Sequence, residues 1–209
     1  MKSYLLIALS FIALNCFSQT NDEMGSSTKI IRKGKPFLTK DAIKLLKEFD
    51  SVHNINSGIT SFKHKKINTT NTTSTTYYYP TLGISSKTPN PSTVYLTIFR
   101  LPNGVYTIGM NVFYVFPSTA TSRIEEVSSF TFKWDNNSYT ISNKNGNPLK
   151  FAKFLDDNDY DMFIELAKSS KDAEVAMQGT NSLQVIINFS KHDRKKMLET
   201  IQLFQELIN

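Results

Sequence analysis

The segment TVYLTIFRLPNGVYTIGMNVFYVF, residues 93–116, decides the fold class. Two β-branched and aromatic runs flank Pro102-Asn103-Gly104, a turn whose proline presets one backbone angle and whose glycine supplies positive φ. The spacing predicts antiparallel strands over residues 93–101 and 105–116. In the second, Tyr106, Ile108, Met110, Val112, Tyr114 and Phe116 alternate onto one face, with Thr107, Gly109 and Asn111 on a wetter one.

Working outward, Phe130, Phe132 and Trp134 alternate with Ser129, Thr131 and Lys133. Asp135-Asn136-Asn137 then turns the chain into residues 138–142, Asn145-Gly146 marks another turn, and residues 147–155 add a short strand. These segments read as a meander of about four strands. Beyond them, Asp157 or Asn158 caps a helix to Lys168, and residues 172–178 and 182–189 form a hairpin over Gly179-Thr180-Asn181. Ser190 opens a last helix to Ile208, striped by Met197, Ile201, Phe204 and Ile208 and widened by Leu198 and Leu207. Before the centre, Thr39 caps a helix over residues 40–52, with Ile43, Leu45, Leu46 and Phe49 apolar and Lys40, Lys44 and Lys47 opposite. Residues 68–76 are all Asn, Thr or Ser and read as a loop or edge strand, with strands expected near 59–67 and 76–84. The expectation is an α+β domain: an antiparallel β-sheet, a meander of hairpins, with two or three helices packed on one face.

The 209 residues suit one domain with a sizeable core, and 40% hydrophobic against 20% charged content excludes a disordered or polytopic membrane chain. The first eighteen residues are a different kind of segment. Lys2 gives a positive start, residues 4–14 are mostly apolar, and Cys16 and Ser18 stand three and one positions before a cut preceding Gln19. The reading divides the chain into a signal peptide (1–18), a flexible arm (19–34) and one α+β domain (35–209). The apolar run ends at Asn15, short of the roughly 20 residues that span a bilayer, so no transmembrane segment is expected after cleavage. Cleavage removes Cys16, the one cysteine, leaving no disulfide and no thiolate chemistry. The minority alternative makes Cys16 a lipoprotein's lipidated residue, which Asn15 before it opposes. The stretch Cys16-Phe17-Ser18-Gln19-Thr20 resembles the signal ends of exported proteins of Bacteroidota type. That resemblance covers the signal only and names no activity; the export signal itself implies a periplasmic or an extracellular, outer-surface location. Asp50-Ser51-Val52 likewise resembles the Asp-Ser/Thr-aliphatic acceptor of protein O-glycosylation in that group.

The search for chemistry excludes more than it finds. Asp157, Asp159 and Asp161 match the first positions of a calcium loop, yet Met162 stands where glycine is needed and Lys168 where glutamate is needed. The acids instead suit a helix start. His53, His64 and His192 form no metal-ligand pair, none of the eight glycines builds a phosphate loop, and Glu125 and Glu126 are adjacent and point apart on a strand. No metal and no cofactor is expected.

Charge remains. There are 24 Lys and Arg against 18 Asp and Glu, of which cleavage removes Lys2. They concentrate in Lys63-His64-Lys65-Lys66 and in Lys191, Arg194, Lys195 and Lys196 around His192. For an exported protein, an envelope component, anionic glycan or lipid, or a protein partner fits these patches better than nucleic acid does. Tyr77, Tyr78 and Tyr79, before Pro80, are added ligand-binding candidates, whereas Trp134 shares its face with Phe130 and Phe132 and is expected in the core. The leading reading is an exported, non-catalytic binding protein using residues 77–91 and the basic segments. One alternative is a hydrolase joining His64 or His192 to the acids near Asp157. The other is an assembly subunit adding a strand at an edge near residues 68–79. N-terminal sequencing of the exported protein tests the compartment reading: Gln19 as first residue is expected, and an acylated Cys16 would replace that reading with lipidation.

Overall fold

The computed structural model describes residues 29–68, 75–79, 84–88, 93–113, 127–143, 150–171, 173–179 and 184–208. They form two six-stranded antiparallel sheets and three α-helices, an α+β fold. In chain order the elements are β1 (Arg32–Lys33), α1 (Lys40–Leu46), β2 (Phe49–Asn54), β3 (Ile59–His64), β4 (Thr75–Tyr79), β5 (Ile84–Thr88), β6 (Thr93–Arg100) and β7 (Val105–Phe113). They continue with β8 (Val127–Trp134), β9 (Asn137–Ser142), β10 (Lys150–Phe154), α2 (Asp157–Lys168), β11 (Ala173–Gly179), β12 (Gln184–Phe189) and α3 (Lys191–Leu207).

The first sheet runs β1-β7-β6-β3-β2, with β10 also paired to β7; the second runs β5-β4-β12-β11-β8-β9. The hairpin read first is present. Leu101 and Gly104 close its turn through backbone bonds of 2.8 and 3.0 Å, and Gly104 sits at φ 76°. Only glycine takes that conformation without a Cβ penalty. Ile98 pairs with Ile108 and Leu96 with Met110, all of them buried.

The expected single meander is divided between two sheets: β6 and β7 belong to one, β8 and β9 to the other, and β10 returns to β7. Turn chemistry fixes neighbours within a hairpin, while membership of a sheet depends on partners distant in sequence. The wetter face expected on β7 is also buried, Thr107 at 2% and Asn111 at 5% exposure. Asn111 is satisfied there by donating to Thr97 Oγ1 at 3.0 Å. Tyr114, Phe116, Glu125, Glu126 and the turns at Asn145-Gly146 and Thr180-Asn181 lie outside the described residues.

The first helix stops at Leu46 rather than at Val52, and Phe49–Asn54 is a strand pairing with Ile59–His64. Ala42, Leu45, Leu46 and Phe49 stand at i, i+3, i+4 and i+7, so helical periodicity continues into a segment whose partner strand decides otherwise. Asn54 to Gly58 is the hairpin turn between them: Asn54 Oδ1 accepts from the backbone N–H of Asn56 and Ser57. At the other end the arm gives way to ordered chain before residue 35. Ile30 is buried, Arg32 and Lys33 pair with Tyr106 and Val105, and Lys29 bridges to Asp156.

One core serves both sheets. Phe130 of β8 meets Phe151 of β10 at 4.5 Å between ring centres, and Phe132 contacts Phe163 of α2 at 5.3 Å and Phe189 of β12 at 6.5 Å. Trp134 is buried with them. Helix α3 packs against α1, α2, β3, β6, β7 and β12. Truncating Phe163, which is fully buried, to alanine is expected to cost about 3–5 kcal/mol in urea unfolding. Phe37→Ala, at a residue 84% exposed, is expected to stay within about 0.5 kcal/mol.

Candidate functional site: a lysine surface tied at His64

β3 ends in Lys63-His64, the 3-10 turn Lys65–Asn68 follows, and α3 passes beside that turn. The His64 side chain is fully buried against Phe49, ring centres 5.0 Å apart. Its Nδ1 accepts the Lys66 backbone N–H at 3.2 Å, which places the proton on Nε2. Nε2–H then donates to Glu199 Oε2 at 2.7 Å. Both ring nitrogens are therefore engaged, and the ring has no free lone pair with which to take a substrate's proton. The carboxylate joined to histidine is Glu199, not one of the acids near Asp157. His192 is exposed in the first turn of α3.

Glu199 has a second neighbour, Lys195 Nζ, at 3.7 Å. One carboxylate thus holds together the two basic segments, which lie far apart in sequence. Within them the cations differ. Lys63 lies over the Tyr95 ring at 4.4 Å, where burial lowers its pKa against the pull of Asp50. Arg194 and Lys196 are buried: Arg194 donates to the Phe189 carbonyl at 3.1 Å, and Lys196 pairs with Asp193 at 3.5 Å. Lys66 pairs with Glu48 at 3.2 Å and holds its carboxyl below the usual range. Lys65, Lys191 and Lys195 are exposed. Lys65 Nζ donates to the Lys47 carbonyl at 2.6 Å, so the surface continues onto α1 and its outward Lys40, Lys44 and Lys47. Their number was readable in sequence, but the depth of Arg194 and Lys196 and the continuation onto α1 were not.

Tyr77, Tyr78 and Tyr79 lie in the other sheet. Tyr77 pairs with Val185 and Ser86, Tyr78 with Gln184 and Ser85, so β4 is bonded on both sides and is not the free edge expected near residues 68–79. The reason is β5, a short strand not among those expected from the sequence, which takes the outer position.

The acidic run forms a second hub. Asp156 and Asp159 make a capping box at the start of α2. Asp159, 1% exposed, also accepts from Lys153 Nζ at 2.6 Å and Tyr139 OH at 3.2 Å. The other two acids of the calcium-loop pattern point elsewhere: Asp157 pairs with Arg32 at 3.0 Å, and Asp161 lines an open groove. This groove of about 330 Å³ lies between the β8–β9 hairpin and α2 and is lined by Trp134, Tyr139 and Met162 together with the exposed Asp161 and Glu165. Two carboxylates make it a poor seat for an anion. Among the described residues no group of three His, Cys, Asp or Glu is arranged to hold a metal ion.

No protein-family model matches this chain, and neither curated proteins nor solved structures return a match.

Burial, followed by the Asp159 charge, pushes the Tyr139 phenol up to about 12, and burial alone does the same to Tyr95. A raised folded pKa means that the folded state holds protons an unfolded phenol has lost, so this stability is intact below pH 10 and lost as pH rises from 10 to 12. Lys63 acts with the opposite sign below its ordinary value of 10.5. Phenolate absorbance is expected to show a late-titrating class near pH 12. Asp159→Asn should lower the Tyr139 titration below its wild-type position while burial, the larger cause, keeps it raised, and should leave Tyr95 in place; an unchanged Tyr139 would refute the charge's contribution.

Proposed function

We propose that this is an exported, non-catalytic binding protein of the bacterial envelope, and that it recognises an anionic component through the lysine surface shared by α1, the turn after β3 and α3. The observation that carries this reading is the convergence of the two basic segments on Glu199, which accepts from His64, the neighbour of Lys65, and pairs with Lys195. A chain that needed charge only for solubility would gain nothing from gathering it in one place, because clustered cations repel one another. The full engagement of the His64 ring supports binding over hydrolysis.

Position, not net charge, is what the reading demands. Lys65→Gln with Lys195→Gln removes two charges from the surface, and Lys168→Gln with Lys171→Gln removes two exposed charges from the end of α2 and the segment after it. Retention on a sulfated polysaccharide at about 0.15 M salt is expected to weaken about tenfold in the first pair, at about 0.7 kcal/mol per contact, and by less than twofold in the second. Equal loss in both pairs would reduce the effect to overall charge and overturn the proposal.

A further inference from the structure

Next to the lysine surface stands an apolar tip. Phe37 is 84% exposed, Leu38 48% and Ile43 50%, all at the entry to α1. Leu38 and Ile43 occupy the N′ and N4 positions on either side of the Thr39 cap, where an apolar pair steers the chain into a helix. Phe37 has no such structural task. The orientation of α1 is fixed from below: Ala42 is fully buried, Leu45 and Leu46 pack on the core, and Thr39 Oγ1 donates to Glu206 of α3 at 2.5 Å. At 100° per residue this turns Lys40, Ile43, Lys44 and Lys47 outward together.

We infer that this face docks on a lipid bilayer carrying anionic headgroups, with Phe37, Leu38 and Ile43 entering the headgroup boundary and Lys40, Lys44, Lys47 and Lys65 meeting the phosphates. The argument is charge complementarity around an apolar centre. Of the carboxylates nearby, Glu48 pairs with Lys66 and Glu206 accepts from Thr39, leaving Asp41 as the acid exposed on α1 itself. A second copy is the wrong occupant, because pairing the tip with itself brings two sets of lysines face to face. A soluble glycan satisfies the lysines but gives the aromatic and aliphatic side chains nothing to enter. Lysine stems are long enough to lie along apolar surface while their heads stay in water.

The inference rests on the anionic-binding reading and narrows its ligand to a membrane. Its test is co-sedimentation of the mature protein, recovered from an exporting host, with phosphatidylcholine vesicles containing roughly one-third phosphatidylglycerol. Wild type is expected to bind these at about 0.15 M salt and to bind pure phosphatidylcholine at least fivefold more weakly. Phe37→Ser with Ile43→Ser is expected to lose at least fivefold in vesicle affinity while retention on the sulfated polysaccharide is unchanged. Phe37→Trp is expected to keep binding, and its fluorescence to be quenched by lipids brominated on the acyl chain. Vesicle binding unaffected by the double serine variant, or equal on neutral vesicles, would overturn the inference. So would polysaccharide retention without vesicle binding, which leaves the broader reading standing, whereas loss of both ligands in wild type would remove that reading as well. A dimer abolished by Phe37→Ser in sedimentation would assign the tip to self-association and likewise overturn the membrane assignment.

Discussion

Helix α3 is the constraint on which the rest of the structure depends. Its buried positions, from Arg194 through Met197, Thr200, Ile201, Leu203 and Phe204 to Leu207, spread over about half of the helix circumference. A face that wide is not covered by one layer. It is covered here by β3, β6 and β7 of one sheet, β12 of the other, and the helices α1 and α2. The helix starts cleanly because Ser190 and Asp193 form a capping box. At its far end the Leu207 carbonyl accepts from the Lys35 N–H at 2.9 Å, drawing the N-terminal segment onto the body.

Polar ties made by α3 and α2 specify where these layers sit. Glu199 meets His64, Glu206 meets Thr39, and Asp159 collects Lys153 and Tyr139. Buried charge costs several kcal/mol when left unpaired, so Asp159, buried among them, tolerates only arrangements in which its partners are in reach, and the half-buried Glu199 and Glu206 are bound more loosely by the same constraint. His64 and the acids near Asp157, Asp159 among them, were the residues from which the sequence offered a hydrolase site. In the fold His64 and Asp159 are saturated with hydrogen bonds from neighbouring elements, and their role is to hold position. The exposed lysines and the tip at Phe37 are what the body presents outward from this framework.

Much of the architecture was legible because its signals are local. Pro102-Asn103-Gly104 marks a hairpin and Ser190 a helix start, each through interactions within a few residues, whereas the cap expected at Asp157 or Asn158 is made one residue earlier, by Asp156. Trp134 was placed in the core by sharing a face with Phe130 and Phe132. The failures are non-local. Phe49 fits helical spacing until its pairing with His64 is known. Tyr77, Tyr78 and Tyr79 looked like an edge until β5 was seen to cover them. The candidate surface was half legible: Lys65 and Lys195 stand out by composition, but the carboxylate that joins them and the continuation onto α1 arise from contacts between distant segments. Phe37 gave no signal, since exposure is a property of the fold and not of the residue type.

The central claim, that α3 makes the two sheets one cooperative unit, is open to direct measurement. Trp134 is the single tryptophan and reports the second sheet, while the His64 ring reports the first. Urea unfolding followed by Trp134 fluorescence and by the His64 ring resonance is predicted to give one coincident transition. In Leu203→Ala both should move down together, by about 2–5 kcal/mol in unfolding free energy. A His64 transition that shifts while the Trp134 transition stays in place would contradict the account, showing two sheets that fold independently beside a shared helix.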